Sequence, residues 1–203
     1  MTDLGRRAVL TGSAASLLQL TTQAPVLAGR APGLDRMTAR PRLPDPFTLG
    51  VASGDPEPDG FVIWTRLAPH PLAWDGRGGM PWHDVAVDWQ VAADDRFAQV
   101  VVGGTTRSLP RRAHAVHVEV HGLQPGREYY YRFRAEGHLS RIGRTRTAPA
   151  YSSSPAVLTV AAASCAELEH GYFTAYRRIA EDDPDLVLHL GDYLYEFRHG
   201  AYV

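Results

Sequence analysis

The sequence predicts two architectures in tandem: an all-β sandwich, then the opening strand, helix and strand of an α/β domain. Three observations carry this. Between residues 47 and 148, short β-branched and aromatic runs alternate at period two and are divided by Gly and Pro turns. From residue 157 onward, two apolar runs flank a stretch whose large apolar residues recur at helical spacing. The 203 residues, 44% hydrophobic and 21% charged, have the composition of a globular protein of one or two domains.

In the first region, Phe61-Val62-Ile63-Trp64-Thr65 follows the turn residues Asp59-Gly60. Val85, Val87, Trp89 and Val91 then mark a strand with one buried face. Val100-Val101-Val102 runs into Gly103-Gly104, a hairpin signal, and Val116, Val118 and Val120 alternate with His117, Glu119 and His121. A turn over Gly122, Leu123, Pro125 and Gly126 leads into Tyr129-Tyr130-Tyr131-Arg132-Phe133. This turn ahead of an alternating Tyr strand resembles fibronectin type III and other immunoglobulin-like domains, in which a Tyr hydroxyl pins the corner; about 100 residues is the size of that fold.

Three features here read as structure rather than chemistry. Asp55 to Gly60 mimics the first half of a calcium loop, but Arg66 stands at the twelfth position where a bidentate Glu is required, so the segment reads as a turn. His117, Glu119 and His121 share a face opposite an all-Val face and read as its wet side. Arg141, Arg144 and Arg146 read as solvated charges that protect an edge strand, in preference to an anion site.

The chain opens with Arg6-Arg7, a weakly apolar stretch from Ala8 to Leu20 and a small-residue ending at Val26-Leu27-Ala28. Residues 1–28 therefore read as a twin-arginine signal peptide, too short to span a bilayer, and 29–46, with four Pro, as a linker. This order predicts a partner, the twin-arginine translocase, and an exported protein that is periplasmic, cell-wall-associated or extracellular with no permanent membrane span. Folding before export would let a cofactor load in the reducing cytoplasm, where a single thiol survives. Removing the signal takes away Arg6, Arg7 and Asp3 and leaves a net charge of −2, which argues against a nucleic-acid surface. All 21 basic residues are Arg. Without Lys, the P-loop, Schiff-base chemistry and Ser-Lys chemistry are excluded. The chain also has no Asn, so a carboxamide metal ligand could come only from Gln, and its one Cys permits neither an internal disulfide nor a Cys-rich zinc site.

Chemistry concentrates in residues 149–203. Val157 to Val160, followed by Ala161 to Ser164, reads as a buried strand with Cys165 at its carboxyl end. Tyr172, Phe173, Tyr176, Ile179 and Ala180 fall at helical spacing, with Glu167 and Glu169 near the helix start and Pro184 beyond its stop. Leu186 to Leu190 reads as a second buried strand, ending at Gly191-Asp192. Strand, helix, strand in so short a span predicts parallel strands, which places Cys165 and Asp192 at the carboxyl ends where open α/β sheets build their sites, with Tyr195 near enough to join them. A thiolate and a carboxylate, with a phenolate if Tyr195 joins them, suit a trivalent or strongly Lewis-acidic metal such as ferric iron, and a carboxylate can bridge to a second, oxygen-loving ion. Each residue also has a plain role open to it: Cys165 as a small buried hydrophobe, Gly191-Asp192 as a helix cap, Tyr195 as packing.

The stretch Ser164-Cys165, Gly171 to Arg177 and Asp183 to Glu196 is similar to the start of the catalytic domain of PhoD-like alkaline phosphatases. Upstream, Phe47 to Pro56, Pro58-Asp59-Gly60 and Trp64 to Pro69 resemble that family's N-terminal β-domain. The resemblance implies a metallophosphoesterase-like α/β domain in which Cys165 ligates ferric iron, Asp192 bridges iron and calcium, and Tyr195 completes the early iron ligands. The family often has Gln directly after the Cys, where Ala166 stands here. The implied reaction is hydrolysis of phosphate mono- and diesters, with a phosphate ester as substrate and in-line attack by a metal-activated water.

Such sites also take an Asn and several His from later strands, and the chain has no Asn. The expectation is therefore an N-terminal portion of a longer enzyme: an intact sandwich over 47–148 and a truncated catalytic domain over 149–203, inactive alone and poorly protected because one strand-helix-strand unit cannot cover both faces of its sheet. The competing expectation is an exported immunoglobulin-like binding module with a non-catalytic extension.

Overall fold

The computed structural model describes residues 43–167, 172–193 and 195. The signal-peptide expectation, most of the linker and Glu169 lie outside the described residues.

Residues 51–146 form two antiparallel sheets. The first holds β1 (Val51–Glu57), β2 (Gly60–Arg66) and β5 (Ala115–Val120) in that order. The second holds β4 (Val100–Ser108), β3 (Val85–Ala92) and β6 (Glu128–Ala135), with β7 (His138–Leu139) and β8 (Gly143–Arg146) both paired to β6. Lettered A to G, with β8 as G, the sheets read A-B-E and C′-C-F-G, the strand order of a fibronectin type III sandwich.

Alternation builds the core. Phe61, Ile63, Val116 and Val120 from one sheet meet Val85, Val87, Trp89, Val91, Tyr129, Tyr131 and Phe133 from the other, all buried. The outward residues of β6 are satisfied sideways: Arg134 pairs with Asp88 at 2.9 Å, and Arg132 donates twice to Gln90 while its guanidinium lies over the Phe97 ring. The Tyr corner forms as expected, with the buried Tyr129 hydroxyl accepting a hydrogen bond from the Gln124 amide at 3.0 Å. Leu43 packs against the core, its carbonyl 2.8 Å from His138 Nε2, and Pro46 is buried with its carbonyl accepting from the Ala68 amide.

Some local expectations change. Gly103-Gly104 makes no turn; β4 runs through both, because Gly104 sits opposite Trp89 and a Cβ there would stand 3.1 Å from the indole ring. The turn expected over Asp55 to Gly60 is confined to Pro58 and Asp59, while Asp55 (φ 48°) lies in a β1 irregularity. His117, Glu119 and His121 are exposed as expected, with Val116 and Val120 on the buried side. The β2–β3 connection projects Leu72 and Trp74 into solvent and stacks Arg77 on the exposed Trp82 ring at 4.2 Å.

One buried polar group gives the sandwich an acid sensitivity. His114 is fully buried, its Nδ1 3.0 Å from Ser108 Oγ and its Nε2 2.9 Å from the Pro81 carbonyl. Desolvation holds it below the ordinary value of 6.5; nearby His83 and Arg77 act the same way, while the Pro81 hydrogen bond and Asp84 oppose. Its contribution is whole above the ordinary histidine range and is lost as pH falls through the depressed folded value. We expect the urea midpoint to drop between about pH 7 and about pH 5, and to drop less in His114→Gln; equal drops would remove His114 as the cause.

Beyond the sandwich, β9 (Val160–Ala163) and β10 (Leu186–His189) pair in parallel, from Leu186 opposite Val160 to His189 opposite Ala163. The helix α1 (Thr174–Asp182) lies between them in the chain, stopped by Asp183 (φ 48°) and Pro184. Tyr172 and Phe173 precede the helix at positive φ rather than joining it. Both strands were expected to be buried, and neither is: Val160, Val187, Leu188 and Leu190 are 45–71% exposed, and α1 has no buried residue. The described residues offer these apolar strands one helix and no second layer to cover the sheet.

Candidate metal centre

The parallel register decides what meets at the carboxyl ends. Past the last paired residues the ladder continues, with the Leu190 amide donating to the Ala163 carbonyl at 2.8 Å and the Cys165 amide to the Gly191 carbonyl at 3.3 Å. Cys165 and Asp192 thereby arrive side by side, Cys165 Sγ 3.3 Å from Asp192 Oδ2. Tyr195 joins them. Its phenol is held above its ordinary value first by desolvation, then by the charges of Asp192 and Cys165 and by a hydrogen bond with the thiol. The three residues singled out from sequence are therefore neighbours.

Their backbones are unusual. Cys165 and Asp192 both lie in the left-handed region, at φ 55° and 51°, with Gly191 at φ 132° between the strand and the Asp. Such a conformation costs roughly 1–3 kcal/mol at a residue with a Cβ and persists where the surroundings impose it, most often at functional sites. Here it ends each strand abruptly and turns the two side chains toward one another. Cys165 is exposed, so the buried-hydrophobe role does not apply. Asp192 caps no helix within the described residues.

Aromatic contacts fix the rim. Tyr176 on α1 places its hydroxyl 2.7 Å from His189 Nε2, Phe173 stacks on Tyr176, and His189 meets Tyr193 edge-on with centroids 4.9 Å apart. These contacts tie the helix to the end of β10, three residues before Asp192. Sequence reasoning passed over the Tyr176–His189 pair, since helical spacing alone does not reveal a polar partner on a strand. Among the described residues, no group of three or more His, Cys, Asp and Glu gathers. The donors present are one sulfur, one carboxylate and one phenol, a set that loses protons on binding and mixes soft sulfur with hard oxygen, as ferric iron accepts.

At the opposite end of β10 lies a crevice of about 550 Å³ between Ser53 to Pro56 of β1, the β8 side chains and the segment Asp183 to Leu188. Arg144 and Arg146, expected to be merely solvated, are ion-paired there with Asp183 and Asp185.

Residues 33–149 match the family model described as PhoD-like phosphatase, N-terminal domain, and residues 159–203 the model described as PhoD-like phosphatase. The chain belongs to the PhoD-like phosphatase family. It is 52% identical over 158 residues to alkaline phosphatase D of Bacillus subtilis (strain 168), a match covering 78% of this chain and 27% of that protein. A solved structure of PhoD superimposes with a TM-score of 0.73 at 50% identity, covering 78% of this chain and 30% of the other. The chain thus spans less than a third of the PhoD relatives it matches. No helix among the described residues is long and apolar enough to cross a membrane.

Proposed function

We propose that this chain contributes the first metal ligands of an exported, metal-dependent phosphatase acting on phosphate mono- and diesters. In this reading Cys165 and Tyr195 would hold ferric iron, and Asp192 would serve as a ligand both to that iron and to a calcium ion. The proposed organisation is a twin-arginine signal over 1–28, a linker over 29–46, a fibronectin III-like domain over 47–148 and the start of a metallophosphoesterase domain over 149–203. The observation that carries the reading is the 3.3 Å approach of Cys165 Sγ to Asp192 Oδ2, with the Tyr195 phenol against both, in a PhoD-like chain.

The chain's own residues do three things in this reading. The parallel ladder holds the thiol and the carboxylate level with each other, the left-handed backbones turn them into one space, and the Tyr195 phenol interacts with both. Bound metals of this kind supply a nucleophile near neutral pH and neutralise charge on a phosphoryl group. These residues alone do not complete a two-metal site, so we expect no ester hydrolysis from them by themselves.

The test is titration of the purified chain with ferric iron. A visible thiolate- and phenolate-to-iron band that saturates at one ion per chain supports the reading. A chain that yields no band and retains no iron on desalting overturns it.

A further inference from the structure

We propose that Arg144 and Arg146, on the edge strand β8 of the sandwich, are positioning residues that set the parallel register on which the Cys165–Asp192 approach depends. This inference deepens the metal-ligand reading and rests on it. Arg146 Nη1 lies 2.8 Å from Asp185 Oδ1. The other oxygen, Asp185 Oδ2, accepts hydrogen bonds from the Thr159 amide at 3.0 Å and the Thr159 hydroxyl at 2.8 Å. In return the Asp185 amide donates to the Thr159 carbonyl at 3.0 Å. One carboxylate therefore joins three pieces: the sandwich edge, the residue before β9 and the residue before β10. These bonds with Thr159 and Arg146 also hold Asp185 below the usual carboxylate range. Two residues earlier on β8, Arg144 bridges Asp183, which ends α1, and Glu128 of β6 at 3.5 Å.

The geometry makes the placement consequential. Thr159 and Asp185 stand directly before the first matched pair of the two strands, Val160 opposite Leu186. A register fixed there propagates along four paired residues to the ends that carry Cys165 and Asp192. The strands have little else to hold them, since α1 buries no residue and the outward apolar side chains are open. An exposed ion pair shifts a local equilibrium by a factor of only about 1.5 to 5, but that factor is felt where the ordered state is weakly favoured, and it scales the apparent affinity of any ligand that requires that state.

Hydrogen exchange and ferric-iron titration of the whole chain, with Arg144→Ala/Arg146→Ala and Arg146→Lys beside the unaltered sequence, decide the matter. Lys keeps a point charge within reach of one carboxylate oxygen. In the double variant we expect amides of β9 and β10 to exchange about fivefold to tenfold faster and the apparent iron affinity to fall about threefold to tenfold, with the sandwich melting temperature unmoved. Arg146→Lys, which keeps Arg144 and a charge at 146, should stay close to the unaltered chain in both. Unchanged exchange in the double variant, or β9 and β10 amides already exchanging at the unprotected rate in the unaltered chain, overturns the proposal. Faster exchange with unchanged iron affinity overturns the link from the latch to the ligands. An unaltered chain that binds no iron sinks the ligand reading, whereas the exchange comparison still judges the latch by itself.

Discussion

Cys165→Ala is expected to weaken ferric-iron binding by more than about 100-fold while leaving the sandwich melting temperature where it was. Even groups one contact removed from a metal typically cost 10- to 100-fold in affinity when changed, and the loss of a ligand exceeds that. Cys165 is exposed and packs into no core, so its side chain has little folding role for Ala to remove. Asp192→Asn should behave alike, because the carboxamide carries no negative charge to offer a metal, although its oxygen can still accept from the thiol at the 3.3 Å contact. Tyr195→Phe should reduce the visible band most strongly for its loss of affinity, since it removes the phenolate contribution. Exchanging residues 33–203 into Bacillus subtilis alkaline phosphatase D provides an activity readout, in which Cys165→Ala should lower kcat by about a thousandfold or more, a barrier change of about 4 kcal/mol. Near-normal iron binding and turnover in Cys165→Ala would remove the thiol from the site.

Phe133→Ala should have the largest effect on folding, about 3–5 kcal/mol. Phe133 is fully buried at the middle of β6, opposite Trp89 of β3, and its ring meets Tyr131 edge-on with centroids 6.3 Å apart. A cavity left there is lined by both sheets, and the β3–β6 ladder keeps the walls from closing on it. Urea unfolding of the two chains measures the difference. A loss below about 1 kcal/mol would mean that the sheets close on the space, and that the core is softer than its burial implies.

These two substitutions divide the molecule as the sequence does. Alternation in Val85 to Val91 and Tyr129 to Phe133 identified core faces because a sandwich strand buries every second residue regardless of what lies elsewhere in the chain. The Tyr129 corner was legible because the turn and the Tyr are local to each other. Gly103-Gly104 misled because the reason for a small residue there, the Trp89 ring, sits on the neighbouring strand. Leu186 to Leu190 misled differently: apolar composition states what a strand is suited to bury, and only a covering layer makes it buried. At the candidate site, the meeting of Cys165 with Asp192 followed from parallel strands alone. The left-handed backbones at both residues did not, since neither residue type announces that conformation as Gly would. Nor did the pairing of Arg144 with Asp183 and Arg146 with Asp185, each 39 residues apart, because no local pattern sets one unit's position against the other.

The placement of the tryptophans has a practical consequence. All four, Trp64, Trp74, Trp82 and Trp89, belong to the sandwich or its β2–β3 connection, and none follows residue 89. Trp89 is enclosed, whereas Trp74 and Trp82 stand in water, so a soluble quencher divides indole emission into a protected and an accessible fraction. That emission is an optical channel for the sandwich alone, and an iron band at Cys165 and Tyr195 would be a second channel for the strand-helix-strand unit. The two halves of one chain could then be followed in the same cuvette as each loses its structure.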